Sequence, residues 1–516
     1  MNGITSWLDG SMVYGSSEAA ANGLRAFTGG KMKTSDGNLL PVGTGGFFQA
    51  GDARANENPE LTALQTLFVR EHNRIAANLA TANPTWTDEQ LFQKARATVI
   101  GELQAITYNE WLPALLGSGL GPCRGYDPTA NPAISTEFAT AGFRFGHSML
   151  GNDIEFFGND GRPVADAVEL ADAFFNPALV SAHGIDPLLK YLASDPASEV
   201  DTKVVDGVRN LRLTVPGGSV TLDLASLNVQ RGRDHGLSDY NATRVALGLP
   251  TVTDFGQITA NKGLQQSLKD LYGTVKNIDL WVGVLAEDHV KGGSVGATGR
   301  AIILEQFGRL RAADRFWYEN TFTGSELQTL RNTRLSDVIA RNTQLTTVQK
   351  DAFFFRAEVS GTVFGDGNKD ARRNLGEIGL GARTVQLVKP DTGEVVATKP
   401  TDAQGRFTFT VADGVRTGRY TVRVTLNGNE LRTTPTDPAV VITAGDQPKG
   451  LDVGVAESAT TTPPRPTPPP RGPAPRQPPA APGRHGPLGV APAGGMAFDL
   501  FSPLLPTGGG PNPRRV

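Results

Sequence analysis

Apolar residues recur at three- and four-residue intervals through the first two thirds of the chain, and at every second residue in a shorter stretch after it. The pattern predicts a mainly helical unit followed by a small β unit. Asn58-Pro59-Glu60 supplies an N-cap residue, a proline at the first helical position and an acid in the first turn. Leu61, Leu64, Leu67, Phe68, Ile75 and Leu79 give the helix that follows one apolar face. A second helix opens at Thr87, with Gln90 spaced for a capping box, and turns Leu91, Val99, Ile100, Leu103 and Ile106 inward. A third is expected through Phe138, Ala141 and Phe145 towards Met149. Past Arg356 the runs 359–363, 383–388, 406–411 and 420–426 are β-branched or alternating and are parted by turn residues, which predicts a β-sandwich. The expected organisation is multidomain: a mainly α domain over 1–356, a small all-β sandwich over 357–456, and a tail over 457–516. That tail holds 17 of the chain's 35 prolines, too many for a packed core, so it is expected to be disordered.

Length and charge narrow the classes of function. The 516 residues exceed what one core organises, so a buried cofactor site fits within the larger unit. A net charge of -3 gives no basic surface for nucleic acid, and small molecules are the expected partners. No run of about 18 apolar residues predicts a membrane span. The opening residues lack the positive start and apolar stretch of a secretory signal, so either the protein stays inside the cell or its start lies upstream of Met1. Cys123 is the single cysteine, which excludes an intrachain disulfide framework and a multi-cysteine metal site.

Two segments carry candidate chemistry. Ala141-Gly142-Phe143-Arg144-Phe145-Gly146-His147-Ser148-Met149 places one histidine among aromatics, and by pattern alone it is a core histidine or an axial ligand. The segment 224–236, LASLNVQRGRDHG, ends a helix in polar residues and is equally open. His72 sits among Arg70, Glu71, Asn73 and Arg74, where a solvated or salt-bridged role is the default reading.

FRFGH, LNVQRGRDHG, GDARANENPEL, the REHNR after it and SWLDGSMVYGS occur in the order found in animal haem peroxidases, and the chain resembles that family from Met1 to about Ala357. The resemblance implies a mainly α domain holding haem b, which reduces hydrogen peroxide and oxidises a small donor such as a halide, pseudohalide or phenol. It implies that His147 is the axial ligand to the haem iron and that Asn228 accepts its other ring N–H. Arg144 and Arg231 become partners for the haem propionates, although Arg231 suits an ordinary helix salt bridge equally well. Arg54 becomes the catalytic arginine on the opposite haem face, stabilising charge as the peroxide bond breaks. Glu57 matches a glutamate that esterifies a haem methyl in some members, or else caps the helix beginning at Pro59. Asn58 replaces the methionine that makes a sulfonium link in one member, so that link is not expected.

The family's distal histidine lies upstream of the SWLDGSMVYGS segment, and no histidine of this chain matches it, so an impaired peroxidase is expected. A fatty-acid dioxygenase is the nearest rival, but the position of its radical tyrosine is Arg144 here. A non-catalytic surface or matrix scaffold is the rival from another class. The β unit resembles the B-type repeats of bacterial surface proteins. Counted from Asp366, the residues Asp366, Asn368, Asp370, Asn374 and Glu377 fall at positions 1, 3, 5, 9 and 12 of an EF-hand-type calcium loop, with Ala371 where a glycine is usual; a merely acidic turn is the alternative. The resemblances together imply a secreted or cell-surface protein, attached through its C-terminal module and serving in the response to oxidative stress.

Overall fold

The computed structural model describes residues 5–215, 218–435, 437–442 and 445–458, and the chain divides into two compact units at about residue 355. The tail expected to be disordered lies outside the described residues from 459 onward.

The first unit is built on two long helices whose signals were explicit in the sequence. In Pro59–Ala82 the Asn58 side chain accepts the Leu61 N–H at 2.8 Å, and Leu61, Leu64, Leu67, Phe68 and Ile75 are buried. In Asp88–Ile106 Thr87 and Gln90 form the full capping box, and Leu91, Val99 and Ile106 are buried. The two helices pack on one another, and Pro59–Ala82 also packs on Asp186–Leu192 and Leu335–Asn342. A second aromatic-rich core gathers Tyr108, Phe138, Phe143, Phe307 and Trp317 beneath the helix Ala297–Ala313. Two antiparallel hairpins, Asp153–Phe157 with Pro163–Glu169 and Leu211–Val215 with Gly218–Leu222, complete the unit.

The expected third helix is not continuous. Phe138–Gly142 forms a wide π turn closed by Phe143 N–H to Phe138 O at 2.9 Å, the backbone breaks at Phe143 and Arg144, and a 3₁₀ turn follows over Phe145–Ser148. Close packing fixes residue 142 as glycine, since a Cβ there would lie 2.6 Å from Ile302 on the Ala297–Ala313 helix. Short π segments of this kind recur at functional sites.

The second unit is a sandwich of two four-stranded sheets. Its strands are β1 (Glu358–Gly365), β2 (Thr384–Val388), β3 (Val395–Pro400), β4 (Arg406–Thr410), β5 (Gly418–Val424), β6 (Glu430–Arg432), β7 (Ala439–Ile442) and β8 (Val453–Glu457). One sheet has the order β6-β8-β1-β4, with β8 and β1 parallel, and the other β7-β5-β2-β3. Alternate residues turn inward, as in Val385 and Leu387, Phe407 and Phe409, and Tyr420 and Val422, which is the period-two pattern the sequence displays.

Candidate active site

The 3₁₀ turn after the break carries His147 into the interior, where 3% of its surface remains exposed. Three residues make one 3₁₀ turn, so Arg144 lies directly behind His147 and its carbonyl receives the His147 backbone N–H at 3.4 Å. The helix Leu224–Asp234, capped by Asp223, brings Asn228 to the same place. Asn228 Nδ2 lies 2.6 Å from His147 Nδ1, and Arg144 Nη1 donates to Asn228 Oδ1 at 3.1 Å. Residues 144, 147 and 228 therefore form one buried group.

One detail of this group differs from expectation. Asn228 was expected to accept the ring N–H, but its amide nitrogen faces His147. A guanidinium can only donate, so Arg144 claims the amide oxygen and leaves the nitrogen to donate to Nδ1. Arg144 also donates from Nε to Ala139 O at 2.9 Å and is itself buried. Arg231 sits one turn beyond Asn228 and is half-buried, while the ion pair this helix makes is that of Arg233 with Asp279 at 2.8 Å.

Arg54 lies in the short turn Ala53–Asn56 that precedes the Pro59–Ala82 helix. Asp52 caps this turn by accepting Arg54 N–H at 3.0 Å, and its carboxylate also takes the guanidinium, with Nη2 at 2.6 Å. Asp52 was not singled out from the sequence, although it stands in the same quoted string; an acid two residues before an arginine gives no sign that it will turn back onto it. The Glu57 carbonyl receives the Phe175 N–H at 3.1 Å, which ties the segment after residue 173 to this turn. Asn58 is occupied as the helix cap.

Trp281 was also missed. Its indole N–H donates to the Arg144 carbonyl at 3.1 Å from a helix, Leu280–Ala286, 137 residues away in sequence.

His72 is neither solvated nor salt-bridged. It is fully buried among Tyr14 and Phe92, with Nδ1 2.9 Å from the Tyr14 hydroxyl and Nε2 2.8 Å from Gly30 O. Burial, opposed by the Gly30 hydrogen bond, pushes its pKa down to about 4, so it is neutral at pH 7. The aromatic packing of the helix face won over the charged residues beside it in sequence. His289 contacts Glu199 and Val200, His183 packs on Phe156, and His235 ends the Leu224–Asp234 helix.

In the sandwich, the candidate calcium residues share one loop after β1. Asp366 accepts the Ala371 N–H at 2.8 Å, Glu377 accepts the Gly367 and Asn374 N–H groups, and Asn368 and Asn374 both donate to Asp370. Ala371 has φ +63°, the left-handed geometry that a glycine at that position would supply. Among the described residues no three His, Cys, Asp or Glu side chains are grouped to hold a metal.

A family model described as animal haem peroxidase matches residues 1–353, and one described as SdrD B-like domain matches residues 357–450. Peroxinectin A from Dictyostelium discoideum is 38% identical over 362 residues, covering 66% of this chain and 67% of that protein. Thyroid peroxidase from Homo sapiens is 39% identical over 396 residues, covering 68% of this chain and 42% of that protein. The chain thus spans two thirds of one relative's length and under half of the other's. The solved structure of peroxidase A from Dictyostelium discoideum has 37% identity and a TM-score of 0.61, covering 67% of this chain and 70% of that one.

Proposed function

Because the chain belongs to the animal haem peroxidase family, we propose that it is a haem-dependent peroxidase that reduces hydrogen peroxide and oxidises a halide, pseudohalide or phenolic donor. The observation that carries this reading is the buried group of His147, Asn228 and Arg144. A buried imidazole with one nitrogen engaged by an amide is a donor set suited to haem iron, and Nε2 is the atom it offers.

Haem, when bound, supplies an iron that takes two electrons from the donors and passes them to peroxide. The chain's own residues do the rest. His147 holds the iron, and Asn228 sets how electron-rich the imidazole is. Arg144 and Arg231 bind the propionates. Arg54, steadied by Asp52, offers positive charge to the parting peroxide oxygens. Glu57 is the candidate for an ester to the haem.

Proton transfer at peroxide is the weak point of these 516 residues. His72 is neutral, buried and hydrogen-bonded on both ring nitrogens, and no other histidine stands near Arg54 in sequence. A positioned acid-base group is worth about a hundred- to ten-thousand-fold, so peroxide cleavage by this sequence should be slowed to that extent. The β unit would attach the enzyme to a cell surface or matrix, with calcium ordering the 366–377 loop, and the enzyme would act outside the cell.

The test is reconstitution with haem followed by peroxide and a chromogenic phenol. A Soret band with slow, His147-dependent turnover is expected. A Soret band with no turnover would make the chain a scaffold. No Soret band would remove the haem reading itself.

A further inference from the structure

Beside the helix Leu280–Ala286 lies an open cavity of about 470 Å³, lined by Trp281, Ala225, Val282 and Leu285 together with Lys203 and Arg209. We propose that this cavity is a second donor site, at which a phenol gives up its electron through Trp281. The proposal rests on the peroxidase reading and adds to it a site for ring-shaped donors.

Three observations converge on it. The first is connection. The Arg144 carbonyl oxygen accepts the Trp281 indole N–H at 3.1 Å and the His147 backbone N–H at 3.4 Å, so one oxygen atom bridges the indole and the iron-ligand residue. A carbonyl on the indole N–H also favours the oxidised ring, because it faces the proton that becomes more acidic when an electron leaves. The second is burial. Trp281 is 5% exposed, so an oxidised indole is shielded from bulk water while one part of it meets the cavity. The third is the chemistry of the cavity. Its volume suits a substituted aromatic ring, and its two cations are already paired, Arg209 with Asp206 at 3.3 Å and Lys203 with Asp201 at 3.5 Å. Val204, Ala225, Trp281, Val282 and Leu285 form most of the wall, which gives the ring of a phenol apolar contact.

The electron balance closes with peroxide as the oxidant. Each phenol gives one electron by way of Trp281 and its hydroxyl proton to solvent, leaving a phenoxyl radical. Two phenols reduce one hydrogen peroxide to two waters. Iodide, a small ion, does not need the cavity and is oxidised at the haem itself, so the two donors report on separate routes.

The first experiment labels the full chain with 5-fluorotryptophan. Five tryptophans are present, and Trp281→Phe identifies the resonance of Trp281 by its loss. Titration with p-cresol should shift that resonance, and no response at millimolar p-cresol would overturn the site. The second compares haem-loaded wild type with Trp281→Phe and with Ala225→Phe, which fills the cavity from the helix Leu224–Asp234 and leaves the indole in place. The ratio of phenol to iodide turnover should fall at least tenfold in both, and freeze-quenched samples given peroxide alone should lose an indole radical signal only in Trp281→Phe. An unchanged ratio in both variants would overturn the route. If the wild type fails to bind haem, the peroxidase reading and this route fall with it, while the fluorine titration still decides whether the cavity takes a phenol.

Discussion

Asn228 occupies the position from which the imidazole is tuned, and its amide is held with the nitrogen towards His147 because Arg144 takes the oxygen. Asn228→Asp is expected to keep haem bound but lower the iron reduction potential, because a carboxylate makes the imidazole more electron-rich. A spectroelectrochemical titration showing an unshifted potential would place residue 228 outside the coordination sphere. At this scale the motifs made residues 144, 147 and 228 legible, because they are short strings read against a family. Asp52 and Trp281 were not legible. Their roles depend on a side chain turning back over two residues and on a contact spanning 137 residues, and neither leaves a periodic trace in sequence.

Among the elements, the two capped helices could be read directly, whereas the break at 143–144 could not. The apolar spacing of Phe138, Ala141 and Phe145 is compatible with a continuous helix, and nothing in it marks the π turn or the non-helical backbone at Phe143 and Arg144. The same helices bury a carboxyl pair that the apolar spacing does not announce. Glu71 and Glu102 are almost fully buried and share Arg341, with Arg74 and Asn342 also on Glu71. Burial, then the charge of Glu71, pushes the Glu102 pKa from 4.5 to about 8. Burial would also raise Glu71, but hydrogen bonds from Arg74 and Asn342 hold it below the usual range. A raised folded pKa means that the Glu102 proton is bound more tightly in the native state. Its stabilisation is complete below about 4.5 and is lost as pH rises through about 8. Glu102→Gln removes that titration, so its melting temperature should exceed that of wild type by at least about 2 °C at pH 8.5 and by less at pH 6. Equal melting curves at both values would show that the pair does not share a proton.

For the whole molecule, the sequence predicted a helical unit followed by a sandwich because the period of the apolar residues changes from about 3.6 to 2 past Arg356, and the two units follow that change. Two expectations belong to the sandwich. Ala371→Gly relieves a left-handed residue and should stabilise the sandwich by about 1 kcal/mol, read as a shift in one of two thermal transitions of the full chain. Millimolar calcium should raise that same transition in wild type and not in Glu377→Gln; a transition indifferent to calcium and chelator would leave 366–377 an acidic turn. The central claim, that His147 holds a haem iron, is tested most directly by titrating haem into the 516-residue chain and into His147→Ala while recording the absorption and ferrous resonance Raman spectra. Wild type is expected to give a saturable Soret band with an iron–histidine stretch, and His147→Ala to lose that stretch and regain ligation when imidazole is added. An unchanged stretch in His147→Ala would contradict the account.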